Sequence, residues 1–257
     1  RNIQTINCAT NIAERIYKSL MLPFNLKEQE VFANASVGIA ISTSEYERPE
    51  DLLRDADLAM SHAKRKGRAH YQVFNQSMHA HAVTTLQLEN DLRKAIERQE
   101  FQLYYQPIVS LATKQLTGFE ALIRWQHPVR GFISPLEFIP LAEETGLIDS
   151  LGRWVLHEAC RQMNAWQVKF PHLSHFKISV NISAKQMIDN DLVRQIEQIL
   201  RQTRLSPLNL KLEITESSLM ENSESTISNF LQLKALGIEF SLDDFGTGYS
   251  SLSYLHQ

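Results

Sequence analysis

Residues 175–182 read HFKISVNI, and their strict alternation of apolar and polar residues decides the fold of the second half of the chain. Successive side chains of a β-strand point to opposite faces, so Phe176, Ile178 and Val180 share one face while polar residues occupy the other. Residues 208–215 (LNLKLEIT) and 238–244 (IEFSLDD) repeat this alternation, and residues 116–125 (LTGFEALIRW) repeat it more weakly. Each strand is therefore predicted to turn an apolar face towards covering helices and a polar face elsewhere.

Helical segments alternate with these strands, which is the pattern of an α/β fold. The predicted strands span residues 101–110, 116–125, 175–182, 208–215 and 238–244. The predicted helices span residues 135–144, 151–169, 184–203 and 224–236. An open, doubly wound sheet would bury the polar strand faces between two layers of helices, which is costly. A TIM-like (β/α)8 barrel accommodates them better, because its functional groups gather at the carboxyl ends of the strands.

A set of oxygen-bearing side chains is predicted to meet at that end of the barrel: Glu120, Asn181, Glu213 and Asp243, with Asp244 next in sequence. Carboxylates held close together repel one another unless a cation lies among them. Oxygen ligands that include an amide suit Mg²⁺ or Mn²⁺ and fit poorly with Zn²⁺. Asp243 and Asp244 point opposite ways in a regular strand, but a strand end that turns at Gly246 would let them address two ions, or one ion bridged between them. A pair of ions is the usual arrangement for phosphodiester hydrolysis. The sequence therefore predicts a site for Mg²⁺ or Mn²⁺, with two ions.

Arg124 lies four residues beyond Glu120, on the same face of the predicted strand. Its guanidinium carries a fork of donors that matches a phosphate group. An ion pair with a neighbouring carboxylate explains the residue equally well, and the spacing alone leaves both interpretations open.

The charge and cysteine content exclude several classes of protein. Lys and Arg total 26 against 29 Asp and Glu, a net charge of −3, so the basic footprint of a nucleic-acid-binding protein is absent. Only Cys8 and Cys160 are present, which indicates a reducing compartment, and we expect a cytoplasmic location. No apolar run approaches the roughly 20 residues of a membrane-spanning helix. An upstream sensor region that anchors the protein to a membrane stays compatible with this expectation.

The first part of the chain has a different pattern. Ile12, Ile16 and Leu20 predict a short amphipathic helix, and alternation over residues 31–41 predicts a strand. A helix is predicted from Pro49 to a stop at Gly67, followed by a short strand over residues 71–74. Residues 76–99 contain no helix breaker and are predicted to form a helix that links two domains.

Six segments of the second part together resemble the EAL domain family. They are YQPI (105–108), EALIRW (120–125), PLEFIP (135–140), SVNIS (179–183), LEITES (212–217) and DDFGTGY (243–249). Each segment alone is weak evidence, but their order and spacing make the resemblance specific. It implies a barrel whose first strand runs antiparallel, and a phosphodiesterase that hydrolyses cyclic di-GMP to the linear dinucleotide pGpG. The alternative from another class is a receptor that binds cyclic di-GMP without cleaving it.

The resemblance also implies roles for individual residues. Four of them match metal ligands of the family: Glu120, Asn181, Glu213 and Asp243. Asp244 matches the acid that serves the second ion, and Glu216 matches the residue that anchors the catalytic loop at residues 245–249. Gln106, Leu122 and Arg124 match positions that contact the ligand. A homodimer formed through the EAL domain is a further expectation.

The first part of the chain resembles the end of a GGDEF (diguanylate cyclase) domain, on the segments ASVGIA (35–40), DLAM (57–60) and AKRKGR (63–68). This resemblance implies that Lys64 and Arg68 contact nucleotide phosphates, although a basic helix end that favours the helix dipole needs no ligand. We expect the carboxyl-terminal part of a GGDEF domain at residues 1–75, a linker helix at 76–99, and an EAL domain at 100–257 that stops before its last strands. By itself the chain is expected to be inactive.

Overall fold

A computed structural model describes residues 6–26, 29–31, 33–43, 46–65, 70–215 and 224–243. The chain divides into two compact units, Arg1–Leu88 and Glu89–Gln257. Several predicted features lie outside the described residues: Gly67, Arg68, Glu216, Asp244 and the loop at 245–249. The domain boundaries expected at residues 75 and 99 stay predictions.

The first unit combines helices with two small pairs of strands. In chain order its described elements are α1 (Ile6–Leu20), β1 (Phe24–Leu26), β2 (Gln29–Val31), β3 (Val37–Ile39), α2 (Pro49–Arg65), β4 (Tyr71–Val73) and α3 (Gln76–Ala95), which continues beyond Leu88. Strands β1 and β2 pair antiparallel, and β3 and β4 pair parallel. All three predicted helices are present, although α3 ends at Ala95 where the prediction extended to residue 99.

The single strand predicted over residues 31–41 is wrong, because β2 ends at Val31 and β3 covers only Val37–Ile39. Alternation marks which faces a strand can use, but the length of a strand depends on its partner. Here β3 pairs with β4 over three residues. Gly38 lies against α2 so closely that a Cβ would collide with the Ala56 carbonyl oxygen, which explains the glycine within this strand.

A buried carboxylate organises part of the first unit. Asp55 on α2 is only 4% exposed and accepts hydrogen bonds from the Tyr46 hydroxyl (2.8 Å) and from the Arg54 guanidinium (3.2 Å). His79 Nε2 on α3 lies 3.0 Å from Asp55 Oδ1. Burial alone would raise the pKa of the Asp55 carboxyl, but the hydrogen bonds from Tyr46, Arg54 and His79 outweigh it, so the pKa is lowered.

The second unit is built on a mixed sheet covered by helices. Its described elements are β5 (Phe101–Val109), β6 (Leu116–His127), β7 (Gly131–Ile133), α4 (Pro135–Thr145), α5 (Ile148–Lys169), β8 (Lys177–Ile182), α6 (Ala184–Ile188), α7 (Leu192–Thr203), β9 (Leu210–Thr215), α8 (Glu224–Ala235) and β10 (Glu239–Asp243). The strand order is β10-β9-β8-β6-β5, with β7 also on β6. Strands β6, β8, β9 and β10 are mutually parallel. The antiparallel pairing of β5 with β6 confirms the first-strand orientation that the resemblance implied.

The apolar strand faces form the core, as the alternation predicted. Ile178, Val180, Leu210 and Leu212 are completely buried. They belong to one hydrophobic cluster that also contains side chains of the covering helix α5, among them Ala159, Cys160 and Met163. The opposite face of the sheet is therefore the one that carries the polar side chains.

The helix predicted over residues 184–203 is two helices, α6 and α7, which is a correction. α6 begins with a capping box between Ser183 and Gln186, and it ends where Asp189 adopts an extended conformation. The buried Asn229 amide on α8 donates hydrogen bonds to the carbonyl oxygens of Met187 (2.9 Å) and Asp189 (2.8 Å). In a continuous helix these carbonyl oxygens would accept hydrogen bonds from backbone amides further along the chain. Here the Asn229 side chain takes the place of those amides, so a tertiary contact ends α6.

Strand β7 was not predicted, because three residues are too few for a periodic signal. Its hairpin with β6 depends on a buried histidine: His127 Nδ1 accepts hydrogen bonds from the backbone amides of Val129 and Arg130, each at 3.1 Å. An accepting Nδ1 leaves the proton on Nε2, which donates to Asp91 Oδ2 at 3.2 Å. Gly131 completes the turn with a φ of +71°.

Candidate active site

The register of the parallel strands brings the predicted oxygen-bearing side chains onto adjacent strands of the polar face. Glu120 on β6 pairs with Ser179 on β8, and Asn181 on β8 pairs with Glu213 on β9. Glu213 in turn pairs with Ser241 on β10, two residues before Asp243. Since residues two apart share a face, Glu120, Asn181, Glu213 and Asp243 all belong to the polar face.

Direct contacts connect part of this set. Asn181 Nδ2 donates a hydrogen bond to Glu120 Oε1 at 2.9 Å. Glu213 Oε1 accepts a hydrogen bond from the Ser241 hydroxyl at 3.4 Å and lies 4.0 Å from Lys211 Nζ. Lys211 and Ser241 are thus neighbours of the site that the sequence analysis did not identify. Their signal was the same one that identified Glu213, an inward position in an alternating strand.

The electrostatics of Glu120 show how close the carboxylates lie. Burial raises the pKa of the Glu120 carboxyl, and the negative charges of Glu213 and Asp243 raise it further. The Asn181 hydrogen bond and the positive charge of Arg124 oppose this increase without cancelling it. Neighbouring carboxylates disfavour one another's charged form, and a cation bound among them would stabilise that form.

The donor chemistry of this set fits Mg²⁺ or Mn²⁺. It consists of carboxylate oxygens and one amide, and it contains neither imidazole nor thiolate. Within the described residues, no three His, Cys, Asp or Glu side chains already stand close enough together to coordinate one ion. The structure therefore brings Glu120 and Asn181 into contact and places Glu213 and Asp243 on the next two strands, without a preassembled coordination sphere.

A cleft of about 290 Å³ is lined in part by Asn181, which contacts Glu120. Its lining includes Leu122 and Arg124 on β6, Ile139 on α4, Gly152 on α5 and Asn181. Gln106 is exposed on β5 and pairs directly with Glu120 across the antiparallel register. The three side chains expected to contact the ligand therefore lie on two adjacent strands, next to the carboxylates.

Two contacts hold the Arg124 side chain. Its Nη1 donates a hydrogen bond to the Ile123 carbonyl oxygen at 2.8 Å, and its guanidinium lies 5.5 Å from the centre of the Tyr104 ring. Among the residues that the structure describes, Arg124 forms no ion pair. The Arg124 charge also acts on the Glu120 carboxyl, and contact of Arg124 with a phosphate stays a prediction.

Lys64 is exposed near the end of α2, in the first unit. Its expected companion Arg68 lies outside the described residues, as do Glu216 and Asp244. Ser179 on β8 pairs with Glu120 on one side and with Lys211 on the other, and its side chain is fully buried. No hydrogen-bond partner for its hydroxyl is found in the described part of the chain.

The second unit is an α/β domain whose sheet carries a cluster of oxygen-bearing side chains on its polar face. Residues 89–257 match the family model described as the EAL domain, and residues 2–70 match the model described as the diguanylate cyclase, GGDEF domain. The chain therefore belongs to the EAL domain family.

Curated relatives agree with this assignment. The bifunctional diguanylate cyclase/cyclic di-GMP phosphodiesterase MucR of Pseudomonas aeruginosa is 44% identical over 96% of this chain and 36% of its own length. The cyclic di-GMP phosphodiesterase PdeR of Escherichia coli is 41% identical over 95% of this chain and 36% of its own length. The chain thus spans about a third of the length of these relatives.

A solved structure supports the fold. The structure described as the PaMucR phosphodiesterase in complex with c-di-GMP is 47% identical, with a TM-score of 0.62 over 66% of this chain and 68% of that one. The likeness confirms the predicted α/β fold of the EAL type, with GGDEF-type sequence before it. Phosphodiesterases of this family generally depend on divalent metal ions.

Among the described helices, none is both long and apolar enough to span a membrane.

Proposed function

We propose that the whole protein is a cyclic di-GMP phosphodiesterase that produces linear pGpG at the polar face of the second unit. The observation that carries this proposal is the Glu120–Asn181 contact, with Glu213 and Asp243 near enough to raise the pKa of Glu120. Relatives named as cyclic di-GMP phosphodiesterases, and a similar structure that holds c-di-GMP, identify the substrate class. A cytoplasmic location belongs to the same proposal.

In this proposal Glu120, Asn181, Glu213 and Asp243 hold Mg²⁺ or Mn²⁺, and Asp244 serves a second ion. When bound, such ions lower the pKa of a water molecule and neutralise charge on the phosphate. Hydrolysis adds a water molecule across one P–O bond: the water oxygen bonds to phosphorus, the P–O bond to the sugar breaks, and the departing sugar oxygen takes up a proton. Glu216 is proposed to anchor the loop at residues 245–249.

Substrate binding is assigned to the residues around the cleft. Arg124 donates hydrogen bonds to a phosphate. Its guanidinium has donors available for this, because it forms no ion pair among the described residues and only one hydrogen bond, to the Ile123 carbonyl oxygen. Leu122 supplies an apolar wall, and Gln106 supplies amide donors and acceptors beside Glu120. In the first unit, contact of Lys64 and Arg68 with nucleotide phosphates stays a prediction. A homodimer through the second unit also stays a prediction, which sedimentation velocity checks.

The proposal is tested by incubating the whole protein with cyclic di-GMP and Mg²⁺ or Mn²⁺, and by separating the products chromatographically. Glu120→Gln removes one charged ligand while keeping size and shape. Since even residues that only support metal ligands contribute about ten- to a hundred-fold, we expect turnover to fall at least about a hundred-fold. Glu144→Gln, an exposed carboxylate on α4, is the matched control and should leave turnover unchanged.

The outcomes separate the two classes considered from the sequence. Linear product formed by the wild-type protein, and lost with chelator or with Glu120→Gln, supports the phosphodiesterase. Tight binding of cyclic di-GMP without any product under these conditions would identify a receptor. Absence of both binding and turnover would contradict the proposed substrate.

A further inference from the structure

An exposed aromatic pair, Tyr104 and Phe132, lies beside Arg124, with the Tyr104 ring against its guanidinium. Tyr104 on β5 is 47% exposed and Phe132 on β7 is 58% exposed, although large apolar rings are usually better covered. Their ring centroids are 6.2 Å apart at an interplanar angle of 78°, the edge-to-face arrangement that aromatic pairs prefer. Phe132 therefore limits the orientations that the Tyr104 ring can adopt.

The register explains why these rings meet Arg124. Tyr104 pairs with Leu122, and Gln102 pairs with Arg124, so Tyr104 and Arg124 are diagonal neighbours on one face of the sheet. Phe132 pairs with Gln126, which lies two residues beyond Arg124 on the same face. Diagonal cross-strand neighbours are within reach of aromatic and long side chains.

The Tyr104 ring and the Ile123 carbonyl together hold the guanidinium. Arg124 Cζ lies 5.5 Å from the ring centroid, within the range of a cation–π interaction. The hydrogen bond from Nη1 to the Ile123 oxygen fixes one edge of the group. A guanidinium carries five N–H donors, so the remaining ones stay able to bind a ligand in the cleft that Arg124 lines.

We propose that Tyr104, supported by Phe132, is a positioning residue that holds the Arg124 guanidinium ready for a phosphate of the cyclic dinucleotide. This inference rests on the proposed function, because it names a device that serves the same cleft. Tyr104 acts through Arg124 and need not touch the substrate. The aromatic ring is the required feature, since the Tyr104 hydroxyl takes no part in the contact with Arg124.

The experiment is a double-mutant cycle on the whole protein, with cyclic di-GMP affinity measured by calorimetry in the presence of a chelator so that the ligand is not consumed. Tyr104→Leu removes the ring, and cation–π contacts of this kind correspond to a loss of affinity of about three- to ten-fold. Tyr104→Phe keeps the ring and should restore wild-type affinity. In an Arg124→Ala background, Tyr104→Leu should cause no further loss.

Steady-state kinetics add a second readout. A residue that positions a binding group contributes equally to ground-state and transition-state binding, so Tyr104→Leu should raise KM by about the same factor as Kd, with little change in kcat. Phe132→Leu should show a smaller effect of the same kind. Val129→Ala, an 87% exposed apolar residue in the same hairpin, is the matched control and should change nothing.

The results distinguish this inference from the proposed function. A wild-type protein that neither binds nor cleaves cyclic di-GMP contradicts the function itself. If the wild-type protein is functional, three results would overturn the inference. They are a normal cyclic di-GMP affinity of Tyr104→Leu, an affinity of Tyr104→Phe as low as that of Tyr104→Leu, and affinity losses from Tyr104→Leu and Arg124→Ala that simply add. A thermal melt of every variant shows whether a loss of affinity reflects unfolding.

Discussion

Replacing Asn229 with aspartate tests how a tertiary contact ends helix α6. Asn229 is 4% exposed, and its side-chain amide donates two hydrogen bonds, to the carbonyl oxygens of Met187 and Asp189. These carbonyls end α6, the helix that follows directly after β8 and Asn181. Asn229→Asp keeps the shape of the side chain but replaces both donors with an acceptor, so packing changes little.

The magnitude follows from the two bonds. Each of the two lost hydrogen bonds contributes about 1 kcal/mol to stability. The buried carboxylate then faces two carbonyl oxygens, and this repulsion destabilises the folded state by about 1–3 kcal/mol more. We therefore expect the free energy of unfolding to fall by about 3–5 kcal/mol at neutral pH. The introduced carboxyl should have a raised pKa in the folded state, so its destabilising effect should diminish as the pH falls and the protonated group donates one hydrogen bond.

The assay is urea unfolding followed by tryptophan fluorescence. All three tryptophans of the chain, Trp125, Trp154 and Trp166, belong to the second unit, so their signal reports the unit that contains the substitution. Asn190→Asp introduces the same charge at an exposed position in the adjoining loop and serves as the matched control. An Asn229→Asp protein as stable as the control at neutral pH would refute this account of α6.

Three further predictions concern individual side chains. Because the pKa of Asp55 is lowered in the folded state, its contribution to stability should be present above the ordinary value of 3.8 and lost as the pH falls through the lower folded pKa. The stability difference between the wild type and Asp55→Asn should therefore narrow in acid, and a difference that grows there would contradict the assignment. Burial raises the pKa of the Cys160 thiol to about 12, so in a Cys8→Ser protein native-state alkylation should be slow and should accelerate only on unfolding. Ser179→Ala removes a buried hydroxyl for which the described residues provide no hydrogen-bond partner, so the free energy of unfolding should change by less than about 1 kcal/mol. A loss of more than about 2 kcal/mol in calorimetry would show that this hydroxyl is bonded.

Local alternation was sufficient to predict much of the second unit. A strand with one face in the core must alternate with period two, so apolar positions such as Ile178 and Leu212 also identified the polar positions between them. The same alternation places Glu120, Asn181, Glu213 and Asp243 on one face. The family resemblance rests on these same positions and adds the chemistry that spacing alone cannot supply.

Other features required partners that are distant in sequence. The break between α6 and α7 depends on Asn229, which lies about 40 residues further along the chain and donates to carbonyls that local propensity would assign to a continuous helix. The length of β3 depends on the few residues that β4 offers for pairing. Strand β7 depends on a histidine held by Asp91, which precedes β5.

The site shows the same division between local pattern and tertiary contact. The sequence by itself determined which residues face inward, because side-chain direction in a strand is a local property. Only the tertiary structure decided which of them touch across strands. Strand register puts the Asn181 amide on Glu120, Ser241 beside Glu213, and Tyr104 beneath Arg124. Register results from the packing of whole strands against helices and against one another, so no local pattern in a single strand contains it.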